Sequence, residues 1–469
     1  MNANIIPIPT KGCLSGEGVC APDFSGIRAD LLLTPAINAA KDYAERLGLC
    51  GDKPVTLRYD AGIPAEGYRL TVTPDGCTAS ASDIPGAHHA LAALLQAASA
   101  GKLPCGEIFS APDCDYRGVM IDLARNWHPF SFLKEYVDMC WLYGIETLHL
   151  HFTDDQSYTL PSAVFPMIST EGRHYTFEEI AELDRYAAER GVQIMPEIDV
   201  PGHCTSHQKN YGDVFGTNGI IAQTKTSMDA MQALFTELCG MFPHSRRIHV
   251  GGDEAAILRW TEDEANRDYA LSCGIDFDME DKTYLSERLL ANFVQKMADA
   301  VLACGRTPVA WEGFRKCVNQ YISRKVLMMS WENYYQTTLE LLDADFRIVN
   351  AAWKPMYVVT PNAYWSKEEV YGWSVYRWMA VHPQSPYRNT CLEIEPDERV
   401  RGGQLLAWGD SIASSFPTVL EGIREEQRLV EERAAILAEH TWNRRASLSA
   451  EEFLPIADNT FALLQKLKG

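Results

Sequence analysis

Residues 247–254 read Arg-Ile-His-Val-Gly-Gly-Asp-Glu, a short apolar run that stops at two glycines and delivers two consecutive carboxylates. Glycines at a strand end let another backbone come close, and neighbouring residues of an extended chain point to opposite sides. Asp253 and Glu254 can therefore serve different tasks. The same construction recurs on either side of this stretch. Apolar, strand-like runs at 118–123, 147–152, 193–198, 308–311, 326–331, 347–350 and 403–408 bring the number to eight. Helical stretches separate them. One is framed by a capping box at Thr176 and Glu179, carries Ile180, Leu183 and Ala187 on one face, and stops at Gly191. Another begins near Ser131 and ends before Gly144. Strand-then-helix alternation specifies an α/β fold with a parallel sheet. An open doubly wound sheet would alternate too, but the Gly-x-Gly-x-x-Gly phosphate turn is missing, which favours a (β/α)8 TIM barrel.

Residues 1–112 precede the barrel as a smaller α/β unit, leaving 113–469 for the barrel and its C-terminal helices. In the smaller unit 68–73 alternates like a strand, Pro74-Asp75-Gly76 is turn chemistry, 77–81 forms a second strand, and 84–98 is a helix with Leu91, Leu94 and Leu95 on one face.

Composition narrows the function. The chain has 469 residues, 46% of them apolar, enough for a large core without disulfides or metal. A net charge of -21 repels phosphate backbones and anionic lipid, so neither nucleic acid nor membrane is an expected partner. The first residues lack the basic start and apolar stretch of a secretory signal, and the longest Ala/Leu-rich run, 90–100, is too short to span a bilayer. A soluble, cytoplasmic protein is the expectation. The 13 cysteines are odd in number and contain no Cys-x-x-Cys pair, as suits reduced, mostly buried thiols.

Chemistry in such barrels gathers where the strands end. Polar residues follow the runs: Asp122 and Arg125, Asp154 and Asp155, Glu197, Asp199 and His203, Asp253 and Glu254, Glu312, Glu332 and Asp410. So many carboxylates without matching lysines suit a neutral substrate rich in hydroxyls, or a metal. Trp311, Trp331 and Trp408 close the fifth, sixth and eighth runs. Three ring faces at equivalent positions form a box on which the C–H face of a sugar can rest.

These motifs, taken in order, resemble glycoside hydrolase family 20, the β-N-acetylhexosaminidases, over nearly the whole chain. The matching segments are Tyr116-Arg117-Gly118 through Asp122, Ala124 and Arg125; His149 to Gln156; Pro196 to His203; His249 to Glu254; and Gly402-Gly403-Gln404 leading to Trp408 and Asp410. The resemblance implies an exo-acting enzyme that removes terminal, non-reducing β-linked GlcNAc or GalNAc with retention. The substrate's own acetamido oxygen is then the nucleophile, an exception among retaining glycosidases. By the same resemblance Glu254 is the general acid and base, with its proton affinity raised toward neutrality by its surroundings. Asp253 accepts the acetamido N–H, Tyr357 donates to the acetamido carbonyl, and Asp154 and His203 form a buried relay behind Glu254. Arg125 and Asp410 grip sugar hydroxyls, and His249, Trp311, Trp331 and Trp408 complete the binding set. No cofactor or resident metal is implied, and the expected partner is an oligosaccharide or glycoconjugate containing N-acetylhexosamine.

The chain departs from the family pattern at four places. Ser157-Tyr158 follows Gln156 where Gly-Trp is common, Val359 stands where an Asp or Asn usually lies two residues after the tyrosine, Asn126 replaces a His, and Asp410 replaces a Glu. A long insertion, 361–399, carries Tyr364, Trp365, Tyr371, Trp373, Tyr376 and Trp378, either as a roof over the site or as a self-packed loop.

Competing readings remain at this point. His149-x-His151 beside Asp154 looks like a metal-ligand pair, but the later strands bring too few histidines to complete such a site. A non-catalytic sugar-binding barrel has little need of the retained Asp-Glu pair. A disaccharide-releasing, lacto-N-biosidase-like member of the same family is the third.

Overall fold

A computed structural model of the chain describes residues 4–101, 103–362 and 364–468. The expected division into 1–112 and 113–469 includes residues 1–3, 102, 363 and 469, which lie outside the described residues.

The N-terminal unit is a six-stranded mixed sheet of β1 (Lys11–Cys20), β2 (Pro22–Ala29), β3 (Lys53–Tyr59), β4 (Tyr68–Thr73), β5 (Gly76–Ala81) and β6 (Leu103–Ser110), in the order β1-β6-β4-β5-β3-β2. The expected strands at 68–73 and 77–81 are β4 and β5, an antiparallel pair with Thr73 opposite Gly76 across the turn. The expected helix runs from Ile84 to Ser99, started by the Asp83 side chain accepting from Gly86 N. Its Leu91, Leu94 and Leu95 are fully buried.

The larger unit is the barrel. Its strands are β7 (Tyr116–Asp122), β8 (Thr147–His151), β9 (Gln193–Val200), β10 (Arg247–Gly251), β11 (Thr307–Trp311), β12 (Leu327–Ser330) and β13 (Arg347–Asn350). Beyond them come a three-residue strand β14 (Tyr357–Val359), a small ribbon of β15 (Arg377–Trp378) and β16 (Leu392–Glu393), and the last barrel strand β17 (Val400–Trp408). Neighbouring barrel strands pair parallel from β7 to β13, β17 pairs with β7, and Asn350 of β13 opposite Gly403 of β17 closes the ring. Each strand is buried over nearly its whole length, as expected where side chains fill the interior and helices cover the outside. β14 was not foreseen. It adds to β17 at its C-terminal end, with Tyr357 opposite Leu406, and so carries Tyr357 to the rim where chemistry is expected.

The 193–200 and 247–254 segments meet tightly. Gly251 has φ 69°, and a Cβ there would come within 2.0 Å of Asp199 Oδ1 and 2.6 Å of Val200 N. A side chain at this point meets both a left-handed backbone and occupied space. Gly251→Ala is expected to destabilise the fold by about 2 kcal/mol or more, read as a lowered urea midpoint with an unchanged slope.

The aromatic insertion largely packs against the body. Tyr371, Trp373 and Trp378 are buried, Trp378 Nε1 donates to the Ser330 carbonyl and the Tyr371 hydroxyl to that of Leu448. Only Tyr364 of this group turns to the barrel mouth.

Candidate active site

At the C-terminal end of the barrel a cavity of about 200 Å³ is lined by Arg125, Asp199, His203, Asp253, Glu254, Trp311, Trp331, Trp353, Tyr357, Val359, Tyr364, Trp408 and Asp410. A wider groove of about 820 Å³ lies on the outer surface between the helices Phe177–Ala188 and Lys225–Met241, away from this chemistry. The mouth therefore brings together nine residues singled out from the sequence: Glu254, Asp253, Tyr357, His203, Arg125, Trp311, Trp331, Trp408 and Asp410.

The two adjacent carboxylates differ sharply. Asp253 is buried, while the Glu254 side chain keeps 54% of its surface exposed. Glu254 has φ 48°, a conformation uncommon for a non-glycine residue that aims its side chain at the mouth. His203 Nε2 lies 3.5 Å from Glu254 Oε2, and His203 Nδ1 lies 3.3 Å from Asp154 Oδ1. That hydrogen bond from His203 holds the Glu254 carboxyl below the usual carboxylate range, whereas the sequence reading expects it raised toward neutrality. The physical reason is the hydrogen bond and positive charge of His203, with the Arg125 charge beside it, which outweigh the partial burial of Glu254. Burial opposes that charge on His203, but Asp199 and the hydrogen bonds to Asp154 and Glu254 outweigh it and raise its proton affinity well above the ordinary value.

Asp199 and Asp253 form a second pair, with His203 close by: a ligating atom of each of the three lies within 4.8 Å of the others. Burial pushes Asp199 up to about 7, and burial together with the Asp199 charge holds Asp253 well above its usual range. Two close carboxyls out of water are costly to ionise together.

Arg125 is fixed by three carboxylates. Its Nη1 lies 3.0 Å from Asp122 Oδ2, Nη2 2.9 Å from Asp154 Oδ2 and Nε 3.2 Å from Asp410 Oδ1, and its guanidinium stands over the Trp408 ring at 5.1 Å. Tyr357 is buried between aromatic faces, with Trp353 at 5.3 Å and Trp408 at 6.0 Å. Val359 and Tyr364 face the same cavity.

His249 is a correction. It sits fully buried beneath the cavity, stacked on His149 at 4.8 Å, with Nδ1 2.7 Å from Glu197 Oε1. It does not reach a substrate. Asp154 is likewise buried behind the wall. Glu312 and Glu332 also turn away from the mouth. Glu312 accepts from the backbone N–H groups of Trp331, Asn333 and Tyr334, and Glu332 from those of Val381 and His382, so both tie loops together. Trp353 enters the site unforeseen, Asp199, read from the sequence only as a strand-end acid, joins it, and Tyr335 stands beside Glu254. Trp353 follows β13 by three residues, and the Tyr335 hydroxyl accepts from the backbone N–H of Glu254. The strand-end rule could have found Trp353.

Burial raises Glu312 to about 8, and Glu332 and Glu439 to about 7. Between about pH 5 and about pH 8 these three carboxyls bind more protons in the folded chain than in the unfolded one, so the stability they contribute is lost as pH rises. Burial holds His88, His89, His149, His207 and His440 well below the ordinary imidazole range, and they act in the opposite direction below about pH 6.5. Above that the carboxyls decide, and thermal unfolding is expected at a lower temperature at about pH 8 than at about pH 7, by scanning calorimetry.

Known proteins place the chain. Residues 114–445 match Glycosyl hydrolase family 20, catalytic domain. The β-hexosaminidase of Akkermansia muciniphila is 31% identical over 307 residues, covering 58% of this chain and 59% of its own length, and that of Vibrio furnissii is 27% identical over 322 residues, 60% and 51%. The chain thus spans less than two thirds of the length of these curated relatives. In fold it is similar to an exo β-N-acetylglucosaminidase of Vibrio harveyi, with TM-score 0.79 at 19% identity over 99% of this chain and 77% of that one. A β-N-acetylhexosaminidase of Bacteroides fragilis superposes with TM-score 0.77 at 22% identity over 98% and 96%. With the family match covering the whole barrel and the mouth assembled from the motif residues, the chain belongs to glycosyl hydrolase family 20.

Proposed function

We propose that this protein is an exo-acting β-N-acetylhexosaminidase that hydrolyses terminal, non-reducing β-linked GlcNAc or GalNAc by a retaining, substrate-assisted mechanism. The observation that carries the proposal is the contrast between two neighbouring carboxylates at one small cavity, Glu254 in water at the rim and Asp253 buried beside Tyr357. A cavity of about 200 Å³ is small against the about 300–1,000 Å³ of drug-sized sites and suits one sugar ring resting on tryptophan faces.

In the first step the acetamido oxygen attacks the anomeric carbon from within the same sugar. The glycosidic bond breaks, and Glu254 gives its proton to the departing oxygen. Asp253 accepts the acetamido N–H and offsets the positive charge of the oxazolinium ring, while the Tyr357 hydroxyl donates to the attacking oxygen. Glu254, now a carboxylate, takes a proton from the water that opens that ring, so the product keeps its configuration. A bound sugar strips water from the exposed Glu254 carboxyl, which raises its proton affinity from the low resting value toward the working range.

The p-nitrophenyl β-glycosides of GlcNAc and GalNAc test this directly. Hydrolysis of either, blocked by a thiazoline that mimics the oxazoline, is the expected result, and the ratio of rates sets the epimer preference. A well-folded protein inert on both, yet releasing a disaccharide from a longer glycan, would overturn the single-sugar specificity; inertness on all three leaves a sugar-binding barrel.

A further inference from the structure

Beneath the site, and unused by the mechanism above, lies a carboxylate ringed by three histidines and a tryptophan. Glu197 is fully buried. His149 Nε2 at 3.1 Å and His151 Nδ1 at 2.6 Å approach its Oε2, Trp311 Nε1 donates to its Oε1 at 2.6 Å, and His249 Nδ1, which takes the Gly251 N–H, lies 2.7 Å from that same oxygen. The two histidines of β8 differ in proton count. His149 Nδ1 faces the Gln404 side-chain amide nitrogen at 3.2 Å, a donor, so its single proton sits on Nε2 and goes to Glu197. His151 has no such escape: its second nitrogen, Nε2, lies 3.1 Å from Asp154 Oδ2.

Asp154 is itself saturated. Its Oδ2 also faces Arg125 Nη2 at 2.9 Å, and its Oδ1 takes the Asp155 N–H at 2.6 Å and faces His203 Nδ1 at 3.3 Å. Asp154 thus has no room for a proton of its own, and against the effect of burial the histidines around Glu197 hold its carboxyl well below the usual range, so the ring between them donates from both nitrogens.

We infer that His151 is a buried, doubly protonated imidazolium that acts as a positioning residue for Glu254, at the inner end of the chain Glu197–His151–Asp154–His203–Glu254. The inference rests on the proposed role of Glu254. His151 offsets the charge of Asp154 and pins one of its oxygens, leaving the other to hold His203 in the orientation that reaches Glu254. Other groups around the ring are Asp122 and Arg125 from the end of β7, Asp199 from β9, and His149 on its own strand, with Trp408 edge-on at 5.1 Å. The Glu197 charge and the two hydrogen bonds overcome burial and raise the proton affinity of His151 well above the ordinary value.

His151→Gln removes one cation and one of the two donated hydrogen bonds. Without that cation, and with His203 less firmly held, Glu254 keeps its proton to higher pH. The variant is expected to lose about tenfold or more in kcat with KM within about twofold. The upper limb of its kcat/KM profile is expected to move up by about one pH unit, the scale of one charge acting over about 10 Å in a protein interior. A packing role alone would lower stability without moving that limb. Nitrogen NMR of histidine-labelled wild-type protein gives a readout free of activity and of the variant's folding: both ring nitrogens of His151 stay protonated from about pH 6 to about pH 9. A ring with one proton in that window, or a folded variant with an unmoved limb, overturns the inference. Wild-type protein that hydrolyses neither glycoside overturns the function proposed above instead.

Discussion

Glu254→Gln is expected to cut kcat about a thousandfold on a β-linked disaccharide of N-acetylglucosamine, within the range general acids contribute, and to remove the upper limb of the pH profile. The sugar alkoxide is a poor leaving group and needs its proton as the bond breaks; a glutamine cannot supply one. On the p-nitrophenyl glycoside the first step should suffer far less, because p-nitrophenol departs readily as its anion, and the residual loss falls on the attack of water. This split between two leaving groups is what distinguishes a proton donor from a binding residue, which would lower both rates together. Because the side chain is 54% exposed and accepts from only one side chain, His203, the variant should unfold within about 0.5 kcal/mol of wild type. Steady-state kinetics on the two substrates, with a urea titration as control, checks it. Equal losses on both would remove Glu254 from the acid's role.

The barrel was legible because its construction repeats. Each strand is an apolar run of four to nine residues that stops at a polar group, and eight such stops leave few folds to choose from. The N-terminal sheet was half hidden, since β1 buries only Leu14 and Cys20 of its ten residues, and a strand that faces water on most of its length has no apolar periodicity to read. β14 is three residues long and exists because it can borrow a partner from β17; nothing local specifies it. The site was legible where side chains emerge at the mouth and illegible where direction matters. His249 and Trp311 both lie on barrel strands in apolar company, yet only Trp311 lines the cavity while His249 stays beneath it. Glu312 and Glu332 looked like mouth acids and instead anchor loops through backbone N–H groups contributed by segments up to 50 residues away. The lowered proton affinity of Glu254 has the same origin: it is set by His203, which the segment after the neighbouring strand β9 delivers from the preceding strand-helix unit, and no short window around 254 contains it.

Asp253→Asn is expected to cost about a thousandfold in kcat while Asp199→Asn costs little, although the two carboxyls lie together and burial raises the proton affinity of both. The chemistry sets the asymmetry. An oxazolinium ring carries positive charge, and a carboxylate about 4 Å away at an effective dielectric of about 20 is worth about 4 kcal/mol, close to three powers of ten in rate. Asparagine has no charge to offer and can turn its own N–H toward the acetamido N–H. Asp199 stands one layer deeper, against Gly251, where the proton of the pair belongs once substrate calls for charge on Asp253. Asparagine at 199 then imitates a protonated acid with little change of shape. The Oδ1 atoms of both residues are buried without a protein partner, so neither is held in its role by a competing hydrogen bond. Rates for the two variants on the β-GlcNAc glycoside, with thiazoline affinity measured alongside, decide the matter: Asp253→Asn should lose inhibitor binding and turnover together, and Asp199→Asn should keep both. A thousandfold loss at Asp199 with Asp253 tolerant would mean that the charge facing the intermediate comes from the deeper residue, and the assignment of the pair would have to be exchanged.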